Sequence, residues 1–273
     1  MHAYIKNILP AALLTFCFYT CEEPVDTIDS VTLQAGAYVH IPNNHVAGVD
    51  DSTSLALLDT KVFSIEIRAS GDILPEEVTT LRAMFMVSND QNGLEIGIYR
   101  VTTNPAMISV WMDAGPIGNW EIPGCNWNDI NNFTQVVVTY DGSDWAVYGN
   151  GTLLERDTRI LDINIGSSGA LIGAGWTTVN DQSSLLNHWY GNIDEVRLWN
   201  SVIDSDDMEF RYKNPKNLTR HYSANGLDPL FGLWRFNDET SDGGTIPDAS
   251  TKGNDATIHA GNGSFTFSLA GAK

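Results

Sequence analysis

Phe133-Thr134-Gln135-Val136-Val137-Val138-Thr139-Tyr140-Asp141-Gly142 is the stretch that decides the fold. From Thr134 to Tyr140 it is rich in β-branched and aromatic residues, which fit a pleated surface. Asp141 and Gly142 then supply turn chemistry. Just downstream, Trp145-Ala146-Val147-Tyr148-Gly149 and Thr152-Leu153-Leu154-Glu155 flank Asn150-Gly151. An Asn-Gly pair suits a type I′ turn, whose two central residues both need positive φ, so a hairpin is expected here. Working outward, Phe63-Ser64-Ile65-Glu66-Ile67-Arg68 and Leu94-Glu95-Ile96-Gly97-Ile98-Tyr99 alternate apolar and polar residues, the pattern of half-buried strands. Further strands are expected at residues 38–41, 107–112, 170–174, 193–199 and 230–236. One helix is expected at residues 205–212. Asp204 or Ser205 can cap it, Asp206 and Asp207 sit at its positive end, and Arg211 and Lys213 lie near its negative end. Pro215 prevents a long continuation.

Composition agrees with an all-β chain. The 273 residues are 42% hydrophobic and only 18% charged, with 24 glycines, as expected for many strands joined by many turns. That length suffices for a large core, and one β-sandwich can absorb it. The formal net charge is -19 and no Lys/Arg-rich run occurs, so a nucleic-acid partner is not expected. The acidity reads as solubility, or as calcium held by some of the Asp/Asn-rich loops.

The first 20 residues contain no Asp or Glu and carry a short basic start at Lys6. The apolar run from Ile8 to Tyr19 includes Pro10 and is short for a membrane span, so it reads as a signal-peptide core. It ends at Cys21, followed by Glu22-Glu23-Pro24. This arrangement resembles a bacterial lipoprotein signal, in which the first mature cysteine receives diacylglycerol. It departs from the usual pattern in having Phe18, Tyr19 and Thr20 where small residues are customary; an ordinary secretory signal is the alternative. Acidic residues just after the cysteine resemble the surface-export signals of Bacteroidota lipoproteins. The expectation is a lipid-anchored protein of the outer membrane, exposed at the cell surface, with secreted or periplasmic placement as the alternative. Residues 21–30 read as a polar tether and 31–273 as one domain. With Cys17 removed and Cys21 acylated, only Cys125 remains, so no intramolecular disulfide is expected.

Two blocks carry a family resemblance. The first is the stretch from Phe133 to Gly142, with Tyr148-Gly149-Asn150-Gly151, Leu171-Ile172-Gly173 and Tyr190-Gly191-Asn192-Ile193-Asp194-Glu195-Val196-Arg197-Leu198-Trp199-Asn200. The second is Gly232-Leu233-Trp234-Arg235-Phe236-Asn237-Asp238-Glu239, followed by the polar segment from Pro247 to Thr257. Together they resemble bacterial laminin-G-like, concanavalin A-like lectin/glucanase domains. The resemblance implies an all-β, two-sheet antiparallel jelly-roll sandwich with one short helix. Only about 40 residues follow Gly232, too few for another sandwich, so the second block is expected to complete the first.

This fold hosts lectins, adhesins, lyases and glycoside hydrolases, so function must be read from a site. Retaining glycosidases need two carboxylates about 5–5.5 Å apart, which on one strand means alternate positions. The resemblance would place a Glu-x-Asp-x-Glu strand in a hydrolase of this fold, and none occurs here. Glu66 has Ser64 and Arg68 beside it on its face, and Asp194 and Glu195 are adjacent, which on a regular strand sends them to opposite faces. No zinc spacing, phosphate loop or nucleophile elbow appears. No catalytic residue is assigned.

The resemblance also implies a structural calcium at Asp194, with Asn237, Asp248 and Asn254 as further ligands from the second block. The alternative is that Asp194 and Asp248 accept backbone amides and stabilise turns. Eight tryptophans are present. Trp145, Trp189, Trp199 and Trp234 sit in strand-like segments and read as core. Trp120, Trp127 and Trp176 lie in segments rich in Gly, Asn, Pro and Thr, and read either as sugar-stacking platforms or as lids over the sandwich. The leading expectation is a surface-anchored carbohydrate-binding module. A protein-binding adhesin or structural envelope protein is second, and a polysaccharide-cleaving enzyme third. The lipoprotein reading has a direct check: Cys21→Ala is expected to abolish acyl labelling and release the protein from membranes, and unchanged labelling would refute it.

Overall fold

The structure is a computed structural model that describes residues 38–41, 45–49, 62–71, 82–87, 94–100, 106–112, 115–127, 129–160, 170–173, 175–176, 185–186, 189, 191–215, 230–236, 244–250, 252–260 and 266–268. Cys21, the signal segment and the tether lie outside them. Strands are numbered along the chain. The first sheet contains β1 (Tyr38–Ile41), β3 (Phe63–Gly71), β8 (Thr134–Tyr140), β9 (Asp144–Gly149), β10 (Thr152–Thr158), β14 (Gly191–Trp199), β15 (Leu230–Trp234) and β18 (Thr266–Ser268). Its order is β10-β9-β8-β3-β14-β1-β18, with β15 also on β14. The second sheet contains β2 (His45–Val49), β4 (Arg82–Val87), β5 (Leu94–Arg100), β6 (Ala106–Met112), β7 (Gly115–Trp120), β11 (Ala170–Ile172), β16 (Thr245–Ile246) and β17 (Ala256–Ala260). Its order is β16-β17-β2-β11-β4-β5-β6-β7. A small ribbon pairs β12 (Gly175–Trp176) with β13 (Leu185–Leu186). All the pairings are antiparallel, and the two large sheets form a jelly-roll sandwich. No described helix is long and apolar enough to cross a membrane.

Alternation builds the core. Phe63, Ile65, Ile67 and Ala69 of β3 meet Val136, Val138 and Tyr140 of β8 and Trp145 and Val147 of β9 on the inner face. The second sheet answers with Phe85, Ile108, Val110, Met112, Ala170 and Ile172. The Asn150-Gly151 turn forms as expected, with φ of 51° and 74°. Asn150 Oδ1 accepts the Gln135 N–H at 3.0 Å, which ties the turn to β8.

The C-terminal block joins this sandwich rather than opening another. β15 pairs with β14, β17 with β2, and β18 with β1. Helix α1 (Ser205–Lys213) packs outside the first sheet. Asp204 caps it by accepting the Asp207 N–H at 2.8 Å. Beneath it lies a second apolar cluster: Val137, Ala146, Tyr148 and Trp199 from the outer face of the sheet, Ile203 and Met208 from the helix segment, and Leu230 and Leu233 from β15. The first sheet is therefore covered on both faces here, which explains why β8 is buried throughout. Eight strands lie outside the expected ranges: β2, β4, β7, β12, β13, β16, β17 and β18. Most of them are short or carry Gly, Pro or Thr, while β4 (Arg82–Val87) lacks a clear apolar–polar alternation; pairing with neighbouring strands overrides these weak local signals.

At its start β14 runs so close to β3 that only glycine fits. Gly191 has φ of 146°, and a Cβ there would lie 1.9 Å from the Ser70 carbonyl oxygen. Gly191→Ala is expected to cost roughly 2–4 kcal/mol by backbone strain and lost pairing. Urea denaturation checks this; an unfolding midpoint equal to wild type would show that the strands can separate freely.

Candidate functional site

The outer face of the first sheet follows from the same alternation that fills the core. With Ile65 and Ile67 turned inward, Glu66 and Arg68 of β3 turn outward under α1. The Glu66 carboxylate is buried and accepts from Gln135 Nε2 at 2.6 Å, Arg197 Nη1 at 3.0 Å and Arg211 Nε at 2.9 Å. Burial alone would raise its pKa, but Arg197, Arg211 and the Gln135 bond outweigh it and hold the carboxyl below its ordinary value. Arg197 also pairs with Glu195, two residues before it on the same strand face. For Arg197 burial opposes the charge, while Glu195 and Glu66 more than restore it, so its pKa lies above the ordinary arginine value.

Asp194 and Glu195 do not lie as a regular strand would place them. In the β3–β14 ladder Ile193 opposes Ala69 and Glu195 opposes Arg68, so Asp194 is the extra residue of a β-bulge. The bulge turns both carboxyl groups to the outer face, where Arg68 Nε lies 3.1 Å from Asp194 Oδ2 and Glu195 pairs with Arg197. The expectation of opposite faces fails for this reason. The Asp194 pKa is pushed up to about 7, first by burial and then by the Glu195 charge, against the pull of Arg68.

The described residues do not fit a calcium cage built on Asp194. Its carboxylate faces the Arg68 guanidinium, itself a cation. Asp248 spends both oxygens on a turn: Oδ1 accepts from Leu233 N at 2.9 Å and Ser250 N at 2.8 Å, and Oδ2 from Ser250 Oγ at 2.7 Å and Asn254 N at 3.0 Å. Asn254 donates through Nδ2 to the Phe231 carbonyl at 2.7 Å, and its own carbonyl accepts Trp234 Nε1 at 2.8 Å. The structure thus brings Asp248 and Asn254 together to fasten a turn to β15, and sets Asp194 against Arg68 instead. Among the described residues no three His, Cys, Asp or Glu side chains converge as metal ligands. Asn237 lies outside them.

The tryptophans separate sharply by exposure. Trp127 is 4% exposed and meets the buried Trp189 edge-on at 5.7 Å, so it is a core lid rather than a platform. Trp120 is the last residue of β7, not a loop residue. It stands opposite Ile108 in the ladder, half-buried, with its ring 5.8 Å from that of Trp145. Its ring lies over Gly118, where a Cβ would come within 2.3 Å of it. Trp176 stands in β12, opposite Leu185 of β13. Trp145, Trp189, Trp199 and Trp234 are buried, as their strand-like segments implied.

The exposed ring is Trp111, at 41%. It was singled out by no motif, yet its position follows from β6: Ile108, Val110 and Met112 point into the core, so Met107, Ser109 and Trp111 take the outer face. Across the ladder Trp111 stands between Glu95 of β5 and exposed Pro116 of β7. The neighbouring row holds Gly97, Ser109 and exposed Asn119. Ser109 itself is buried, so on this face of β6 and β7 the exposed groups are the Trp111 ring, Pro116 and the Asn119 amide. Trp111 and Trp120 occupy opposite faces of one sheet and cannot form one platform.

Residues 33–208 match the family described as the concanavalin A-like lectin/glucanases superfamily, laminin-G-like branch. The chain belongs to this superfamily. Solved structures with the same sandwich include a Bacteroides ovatus protein whose name proposes carbohydrate binding. It has a TM-score of 0.56 and 16% identity, over 86% of this chain and 60% of that one. The chain therefore spans about 60% of that protein's length. A heptameric SAP-like pentraxin from Limulus polyphemus gives a TM-score of 0.55 and 14% identity, over 87% of this chain and 96% of the pentraxin. No curated protein matches. At these identities the likeness concerns the fold.

Within this superfamily sandwich the β14 bulge has a titration signature. Asp194 binds its proton more strongly folded, at a pKa of about 7, than at its ordinary 3.8, so its contribution to stability falls as pH rises between those values. Glu66 acts oppositely, but only below its ordinary 4.5. Stability is therefore expected to decline by on the order of 2 kcal/mol from about pH 5 to about pH 8, and Asp194→Asn to flatten the slope. Chemical denaturation across that range checks it; a wild-type profile that rises would contradict the assignment.

Proposed function

We propose that this chain is a carbohydrate-binding module whose platform is Trp111 on the outer face of the second sheet. The observation that carries the reading is the ring itself: among the described tryptophans it is the one with a largely open face, and it stands on a paired strand. A single exposed apolar residue is ordinary on any protein. What distinguishes Trp111 is its support. Its backbone is held from both sides by β5 and β7, so little freedom remains to be lost when a sugar stacks on it. Asn119, exposed on the neighbouring strand, offers a hydroxyl partner. Carbohydrate binding is also what the name of the Bacteroides ovatus structural neighbour proposes for that protein. The same reading sets the module at the cell surface, tethered through Cys21 and the 21–30 segment.

A site with one stacking ring implies weak binding, with Kd of micromolar to millimolar order, or roughly 4–8 kcal/mol. A glycan array on the mature domain would identify the sugar. Trp111→Ala is then expected to weaken binding by at least about tenfold, ~1.4 kcal/mol, with an unchanged melting temperature because the ring is not part of the core. Trp120→Ala, on the opposite face of the same sheet, should lower stability and leave affinity intact. Affinity unchanged in Trp111→Ala would place the site elsewhere.

A further inference from the structure

The charge around Trp111 bears on the kind of glycan its face accepts. Between Ala69 and Glu155 the only basic residues are Arg82 and Arg100, against eleven Asp and Glu. Strands β6 and β7 carry no Lys, Arg or His. Neither arginine stands in the row of the ring. Trp111 is opposite Glu95 on β5, and Arg100 lies five positions further along that strand, about 17 Å away. Arg82 begins β4, four positions before Met86, the residue of β4 that stands opposite Glu95.

The charges that are near have the other sign. An acid, Glu95, occupies the register position directly across from Trp111. Glu121 is exposed just beyond the end of β7. Asn119 is exposed and Trp120 packs against the core, so Glu121 returns to the side of Asn119. Trp120 stands opposite Ile108, which sets Glu121 level with Met107, about 14 Å along the strands from Trp111. An oligosaccharide stacked on the ring and running over Asn119 ends beside Glu121.

A carboxylate or sulfate on such a glycan finds no cation on these two strands. It meets Glu121 and the field of a chain with a formal net charge of -19. The indole face is the negative side of the ring's quadrupole, so it favours C–H groups and disfavours an anion above it. A neutral sugar incurs none of these penalties. Its C–H face stacks on Trp111, and its hydroxyls exchange water for Asn119 at small net cost.

We propose that the Trp111 face selects uncharged glycans and rejects those bearing carboxylate or sulfate groups, with its acidic, base-free surround as the discriminating element. This rests on the platform reading above and narrows it to a ligand class. The rejection is electrostatic and therefore has a salt signature. The Debye length is about 30 Å at 0.01 M salt and about 10 Å at 0.1 M, so added salt screens the repulsion and leaves stacking in place.

The test compares laminarin, xylan, galactomannan and dextran, each with its own carboxymethylated form, by biolayer interferometry on the mature domain. At least one neutral form is expected to bind in a Trp111-dependent way. Its carboxymethylated form should bind at least about tenfold more weakly in about 10 mM NaCl, and the gap should shrink to about threefold or less in about 300 mM. Glu121→Lys should narrow the low-salt gap by raising the affinity for the charged form. A carboxymethylated glycan, or polygalacturonate or heparin, that binds at low salt as tightly as the neutral forms and loses that binding in Trp111→Ala would overturn the selectivity and leave the platform standing. A gap that salt does not close would also overturn it, because the added groups would then clash rather than repel. Glycan binding that survives intact in Trp111→Ala would instead refute the platform, and no binding to any of the neutral forms would refute the carbohydrate reading and this inference with it.

Discussion

Everything outside the main core is organised by one buried carboxylate. Glu66 is clasped by Arg197 from β14, Arg211 from α1 and Gln135 from β8, so four elements are joined through two oxygens. Taking a carboxylate out of water is costly, and the cost is offset here because each oxygen meets charged or amide donors at 2.6–3.0 Å. The consequence is specificity of docking. An apolar helix face could slide on an apolar sheet, but α1 has one register in which Arg211 reaches Glu66 and Asp207 lies beside it. Removing one member would leave an uncompensated buried charge, which typically costs about 3–5 kcal/mol.

The β14 strand carries a heavier topological burden than any other. It pairs along its length with β3 and shares its other edge between β1 and β15, so strands from the start and the end of the domain meet on it. The bulge at Asp194 falls between the β1-paired part and the β15-paired part. There the strand bends, and the two neighbouring carboxyl groups come to one face, Asp194 against Arg68 and Glu195 against Arg197. A local irregularity thus creates a charged spot that neither residue would have formed on a flat ladder. At the opposite edge of the sheet, β10 exposes Glu155, Arg156 and Asp157, charges that discourage pairing with another chain.

The aromatic residues show how a sandwich divides one residue type between support and recognition. Five of the described tryptophans are at most 4% exposed and fill the spaces between and beneath the sheets. Trp120 closes the end of the layer against Trp145. Trp111 remains outside, in a strand as regular as those that bury the others. For Trp111 and Trp120 burial is decided by parity along the strand, not by the polarity of the neighbouring sequence, while Trp127, in a turn, goes inward by packing on Trp189 despite its polar surroundings.

Much of the architecture could be read from the chain alone. Alternation in β3, the apolar run of β8, the Asn150-Gly151 turn and the capped, Pro-terminated helix are local properties, and local chemistry is sufficient for them. The parity of β6 also made the outward direction of Trp111 legible, although no motif drew attention to it. Other features depend on partners distant in sequence. β2, β4, β7 and β17 exist because neighbouring strands supply their hydrogen bonds. The Asp194 bulge exists because β3 and β14 must match lengths between two separate pairings. Arg211 meets Glu66 across 145 residues of chain, and its unspent nitrogens become visible only when both are in place. Composition and periodicity determined an acidic chain of many strands, and the family resemblance implied the sandwich. Which carboxylates are neutralised, which ring faces water and which donors remain unmatched were decided by tertiary packing, because each depends on what stands on the other side of the contact.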